Sequence, residues 1–171
     1  MKRVATRFAK IGFGVALALA LAGCTAPRPD VFFYGDQKVV KAAPLFWCQG
    51  DTKSGFSDCV TEKANRVQLR LAPGEPVLVE LPTDVAATPW QVYARYVDSA
   101  GKPGEVRSTL FSDGKLTYTL RPPGAGSQLT YVELQALPVP VQNINSNPNS
   151  GGGIDFAFTR TWGAVIESTV G

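Results

Sequence analysis

Apolar and polar residues alternate along most of the chain after residue 30, which is the period of strands buried on one face. Val31-Phe32-Phe33-Tyr34 reads as a first short strand, and Val39-Val40 and Leu45-Phe46-Trp47 supply one or two more. Val67, Leu69 and Leu71 alternate with Gln68 and Arg70; beyond the Pro73-Gly74 turn, Val77, Val79 and Leu81 alternate with Leu78 and Glu80. These two runs are expected to be neighbouring strands. Trp90, Val92, Ala94 and Tyr96 share one face of the next run, which stops at the turn Asp98-Ser99-Ala100-Gly101. Residues 106–111 and 115–120 flank Ser112-Asp113-Gly114. Asp-Gly favours a hairpin there, because both residues tolerate positive φ, and Leu116, Tyr118 and Leu120 would face inward. After a loop over residues 122–126, Val132, Leu134 and Ala136 share one face of a strand. The last run is the longest: Ile154, Phe156, Phe158, Arg160, Trp162, Ala164 and Ile166 lie on one face. Arg160 interrupts its apolar series, which predicts a bulge or a sheet rim.

No long amphipathic helix is visible, and residues 57–64 have room for one or two turns at most. Short strands separated by turns every 8–12 residues predict an all-β antiparallel sandwich of about seven to nine strands over residues 31–171. Trp90 resembles the core tryptophan of immunoglobulin-like domains. Cys48 and Cys59 are too close in sequence for the inter-sheet bridge of that fold, so the likeness stops at Ig-like.

Residues 1–30 follow a different pattern. Lys2, Arg3, Arg7 and Lys10 precede an apolar run from Ile11 to Ala22, too short to span a bilayer as a helix. It ends Leu21-Ala22-Gly23-Cys24, which resembles the lipobox of bacterial lipoproteins. That resemblance implies a signal peptide over residues 1–23, diacylglycerol on the Cys24 thiol, and cleavage before Cys24. Two or more acyl chains anchor a protein stably. Residues 24–30 then read as a lipidated tether, kept extended by Pro27 and Pro29. The expected location is the extracytoplasmic face of the cell membrane.

The leader changes the charge balance. The chain has 17 Lys and Arg against 14 Asp and Glu, but four basic residues lie in the leader. The remainder is close to −1, with no like-charge run, so nothing marks it for nucleic acid. The complete absence of histidine removes Ser-His-Asp and Cys-His catalysis and imidazole metal ligation. With Cys24 acylated, Cys48 and Cys59 remain. Export places them in an oxidising compartment, where a disulfide is the expected state; Cys-x-x-Cys redox spacing and further zinc ligands are both missing.

Other chemistry is thin. Gly124-Ala125-Gly126-Ser127 lacks the spacing and lysine of a phosphate loop and reads as a turn. Asp51 and Asp58 offer a carboxylate pair, but loop carboxylates are usually solvated. The Asn- and Gly-rich segment 142–153, with Asp155, supplies oxygen ligands but too few carboxylates for an ordinary calcium site. The aromatic set Phe32, Phe33, Tyr34, Phe46, Trp47, Trp90, Phe156, Phe158 and Trp162 reads mainly as core, with one or two members free to form an outer patch. No catalytic residue, metal or cofactor is expected.

The stretch Val77-Leu-Val-Glu-Leu-Pro-Thr-Asp-Val-Ala-Ala-Thr-Pro-Trp90, after a Pro-Gly turn and a closely spaced cysteine pair, resembles an actinobacterial lipoprotein family, number 2771 among the domains of unknown function. The resemblance implies a mycolate-type envelope and carries over no active-site residues. Together these features predict a non-enzymatic, membrane-tethered binding or scaffolding module whose partner is an envelope protein, lipid or glycan. A small-ligand or lipid carrier and an accessory to an envelope enzyme are the alternatives.

Overall fold

The computed structural model describes residues 27–51, 53–141 and 155–169, with the backbone alone for 138–141 and 155–156. Cys24 and the Asn- and Gly-rich segment 142–153 lie outside the described residues, as does the side chain of Asp155. The chain is an all-β sandwich of two sheets. The smaller sheet contains β1 (Val31–Gly35), β2 (Lys38–Ala42), β6 (Val77–Glu80) and β9 (Thr117–Leu120), in the order β2-β1-β6-β9. The larger contains β3 (Phe46–Asp51), β4 (Gly55–Thr61), β5 (Val67–Leu71), β7 (Trp90–Val97), β8 (Pro103–Arg107), β10 (Gln128–Val141) and β11 (Asp155–Ser168). Its order is β4-β3-β11-β10-β7-β8, and β5 joins β11 in parallel beyond the point where β3 leaves it. The described residues thus hold eleven strands where about seven to nine were expected; β4 is one that the alternation did not mark.

Alternation produces the core as anticipated. Val31 and Phe33, Val77 and Val79, and Leu120 face inward from the small sheet. Leu69 and Leu71, Trp90, Val92 and Ala94, Val132, Leu134 and Ala136, and Trp162, Ala164 and Ile166 face them from the large one. Phe33, Trp90 and Trp162 have no exposed surface. Full burial of such side chains contributes about 1.5–3 kcal/mol each before entropic costs. Outward faces are mixed: Lys, Thr, Glu and Gln lie between the core positions of β2, β5, β9 and β10.

Two pairings differ from the sequence expectation. Residues 67–71 and 77–81 are not neighbours: β5 lies in the large sheet and β6 in the small one, with Leu71 and Val77 both fully buried between the sheets. Residues 106–111 and 115–120 are not a hairpin either. β8 pairs with β7, and β9 pairs with β6. The Asp113-Gly114 reversal is present, with Gly114 at φ 74° and the Lys115 N–H donating to Asp113 Oδ1 at 3.2 Å, but it carries the chain from one sheet to the other. Phe111 holds that crossover. Its backbone bridges to Trp90, and its ring lies 4.5 Å from Trp90 and 5.2 Å from Tyr118. Leu116 consequently stands outside the core and is exposed. In residues 57–64 the chain is mostly strand β4, followed by a 3₁₀ turn at Lys63–Asn65. One short helix, Thr83–Ala86, had no sequence signal.

At Arg160 the β10–β11 register runs without a bulge, from Leu134↔Trp162 through Ala136↔Arg160. The interruption in the apolar series is resolved by stacking: the Arg160 guanidinium lies 4.3 Å over the ring of Trp47, its cross-strand partner on β3. Burial lowers the Arg160 pKa, and Asp84 opposes that shift.

Cys48 and Cys59 form a disulfide across the β3–β4 hairpin, with Cα atoms 4.0 Å apart. The register slips between Trp47↔Val60 and Gln49↔Ser57, where Asp58 adopts φ 48°. Asp tolerates that conformation better than most residues. The bulge sets Cys59 against Cys48. This hairpin is largely exposed, so the covalent bond substitutes for a core it does not have. Replacing both cysteines by serine is expected to lower unfolding free energy by about 3 kcal/mol on the chain-entropy account of a loop this size. Urea titration of the oxidised protein and the double variant measures it, and equal midpoints would exclude a stabilising role.

Candidate functional site

The two ends of the sandwich are distinct. The chain enters at the proximal end, where Trp162 Nε1 donates to the Pro29 carbonyl at 2.9 Å and Lys41 pairs with Asp30 at 3.0 Å. The distal end carries the β1–β2 turn at Asp36-Gln37, the Pro73-Gly74 turn and the Gly124–Ser127 loop. The last two are joined by the Gly74 N–H donating to the Ser127 carbonyl at 2.8 Å. The glycine loop is therefore a turn between strands, as read from its spacing.

On the outer face of the small sheet, toward the distal end, lies an open groove of about 400 Å³. Its floor follows from strand order. Tyr34 on β1 pairs with Val39 on β2 and with Leu78 on β6, and Leu78 pairs with Thr119 on β9. All four are outward positions, so one rung presents an aliphatic and aromatic row. Pro76, Gln37 and Lys38 close its distal side. Val39 is 54% exposed. The Tyr34 hydroxyl donates to Glu80 Oε2 at 2.5 Å, and that bond raises the tyrosine's pKa. The bond also fixes the orientation of the ring. Such a row can take an apolar or stacking group, with Lys38 and Gln37 to meet polar ones.

The outer face of the large sheet is different. A register slip between Leu129 and Tyr131 turns Leu129 inward and Tyr131 outward. Tyr131 nonetheless is buried, because Gly163, which pairs with Glu133 on the neighbouring strand, leaves it room: a Cβ there would lie 2.6 Å from Tyr131 Oη and 2.8 Å from Leu45 Cδ1. Arg95 and Arg66 stack over its ring, at 4.8 and 5.5 Å. Tyr131 donates to Glu133, Gln135 Nε2 donates to Glu133 Oε1 at 2.8 Å, and Gln91 Nε2 donates to Gln135 Oε1 at 3.0 Å. Arg107 stacks over Tyr93, whose hydroxyl donates to Glu105 at 2.6 Å. These groups satisfy one another, so the belt braces the outer face of the sheet.

That belt has a pH signature. Burial first, then the hydrogen bond from Tyr131 to Glu133 and the glutamate's charge, raise the Tyr131 pKa; Arg66 and Arg95 oppose this. In the unfolded chain the phenol ionises near 10. Stability from the neutral phenol is complete below that pH and falls as pH rises above it. Unfolding midpoints are expected to drop between pH 9 and pH 11, and Tyr131→Phe should flatten the drop. Urea titrations at the two pH values test this; an identical slope in the variant would exonerate Tyr131.

The carboxylates singled out from sequence do not converge. Asp51 caps the hairpin tip, its Oδ1 accepting from the N–H groups of Ser54 and Lys53 at 2.7 and 2.8 Å, and these bonds lower its pKa. Asp58 sits mid-hairpin at the bulge beside the disulfide, where its Oδ2 accepts from the Ser57 hydroxyl at 3.1 Å. Among the described residues no group of three or more Cys, Asp or Glu is placed to hold a metal ion, and no helix is long and apolar enough to cross a membrane. Cys48 and Cys59 are brought together and Cys24 lies outside the described residues.

Compared with known proteins, the chain matches the family described as "Protein of unknown function (DUF2771)" over residues 25–163. It belongs to that family. No curated protein and no solved structure matches it. The DUF2771 match begins one residue after Cys24 and ends within β11, so the groove, the belt and the disulfide hairpin are all inside it. The groove had no signal in single strands and the belt only the alternation of β10; both depend on strand order.

Proposed function

We propose that this DUF2771 protein is a lipid-anchored, extracytoplasmic binding module, with no catalytic role, that presents the Tyr34–Leu78 groove to another component of the cell envelope. The groove carries the reading: Val39, Leu78 and the fixed Tyr34 ring form an outward apolar row with polar groups beside it. Three features support the location. The leader runs from basic residues through an apolar stretch to Leu21-Ala22-Gly23-Cys24. A disulfide pair suits an oxidising compartment. The chain enters at the proximal end, so a tethered domain holds the distal groove outward. The space between the sheets is occupied by Phe33, Trp90, Leu134 and Trp162, which favours an exposed contact over an enclosed carrier cavity. Protein, lipid and glycan all remain within the chemistry of the groove.

Photocrosslinking in intact cells tests the proposal. A benzophenone side chain at Val39 is expected to form a discrete adduct that the same group at Ser99, on the distal β7–β8 turn, does not form. Leu78→Gln should remove that adduct. Equal labelling at 39 and 99 would overturn the groove as a binding surface.

A further inference from the structure

We infer that the proximal end of the sandwich rests on the bilayer, with Leu110 and Leu116 inserted into its interfacial layer. This rests on the proposed acylation of Cys24. Among the described residues three large apolar side chains are exposed: Val39 in the groove, and Leu110 and Leu116 at 49% and 43%. The two leucines belong to the crossover between β8 and β9, and that crossover is at the end where the chain enters. Phe111 bridges to Trp90 at the start of β7, and the Leu81 N–H, just past β6, donates to the Leu116 carbonyl at 2.8 Å. The backbone is thus fixed on both sides, with the leucines on its outer surface. Lys115 lies between them, its ammonium 4.8 Å over the Phe111 ring and 5.7 Å over that of Tyr118.

The tether decides what covers this surface. Pro29 is held to Trp162 through its carbonyl. Only five residue steps separate it from Cys24, which span at most about 18 Å when fully extended. An acylated Cys24 therefore brings the headgroup layer within a short distance of the proximal end and leaves little freedom to turn the domain over. The charges on the segments at this end are mixed: Lys41 pairs with Asp30, Asp84 acts on Arg160, and Asp113 bonds the Lys115 N–H. Contact is therefore apolar insertion rather than attraction to anionic lipid, and is expected to be insensitive to salt.

The test uses the acylated mature protein in vesicles of phosphatidylglycerol and phosphatidylethanolamine. With Cys24 acylated and Cys48 bonded to Cys59, an introduced cysteine is the free thiol to label. A nitrobenzoxadiazole dye at Leu110→Cys, Leu116→Cys or Lys115→Cys is expected to shift to the blue and to be quenched by doxyl lipids several-fold more than at Ser99→Cys. Leu110→Ser with Leu116→Ser should cut the quenching at position 115 several-fold. Quenching at 110, 115 and 116 equal to that at 99, in protein retained on the vesicles, overturns this inference alone. So does quenching at 115 that the serines leave unchanged. A chain that carries no acyl group overturns both this and the anchored reading.

Discussion

Trp162→Ala is expected to cost 3–5 kcal/mol of unfolding free energy, the range for removing a fully buried tryptophan. Trp162 has no exposed surface, stands opposite Leu134 on β10, and meets the Trp47 ring edge-on at 6.0 Å. Truncation would leave a void bounded by both sheets, and strands held in ladders on either side cannot close in to fill it. A domain of this size has ~5–15 kcal/mol in total, so the variant should unfold at much lower urea and some 8–20 °C lower in temperature. A second effect is separable. The indole N–H is the donor that holds Pro29, so Trp162→Phe keeps most of the packing while freeing the tether. Hydrogen exchange at the Asp30 and Val31 amides should speed up in Trp162→Phe more than its smaller stability loss explains. A Trp162→Ala midpoint within 1 kcal/mol of wild type would contradict the assignment of this residue to the core.

Most inward positions were readable from the chain, Leu116 and Leu129 apart, and which sheet they belong to was not. Leu71 and Val77 illustrate the difference. Both alternate correctly and both are fully buried, yet they come from opposite sheets, since an inward residue looks the same from either side of a sandwich. Asp113-Gly114 marks a reversal of direction, and that information is local; whether the chain pairs with the strand it left or crosses the core depends on Phe111 finding Trp90 and Tyr118. The disulfide was legible because the expected export and acylation of Cys24 left one pairing among three cysteines. The groove was hidden for a topological reason. Tyr34, Val39, Leu78 and Thr119 come from four strands spread over more than 80 residues, and only the order β2-β1-β6-β9 sets them in one row. The belt left a partial trace: Tyr131, Glu133 and Gln135 alternate with Val132, Leu134 and Ala136. The inward turn of Leu129 and the space beside Gly163, which together bury Tyr131, are tertiary facts.

Cys24→Ser is expected to move the protein from the membrane fraction to the soluble fraction of cells while leaving the folded domain intact. The two halves of that expectation have different causes. A thioether to diacylglycerol needs sulfur, and serine differs from cysteine here by that one atom. Each acyl methylene buried in the bilayer contributes about 0.8 kcal/mol, so two chains hold a small domain against dissociation, and with none the near-neutral remainder has no comparable attraction. The fold should be indifferent. Position 24 is five residues before Pro29, where the chain is first held by a described hydrogen bond, and substitutions outside packed structure usually change stability by less than about 0.5 kcal/mol. Mass spectrometry separates the outcomes. Wild-type protein should begin at Cys24 with the added mass of its acyl groups, and the serine variant should carry none. Processing before residue 24 and membrane retention that both survived in Cys24→Ser would remove the anchor, and with it the reason for the proximal end to face the bilayer. The disulfide and the groove would stand, since both rest on geometry within residues 31–120.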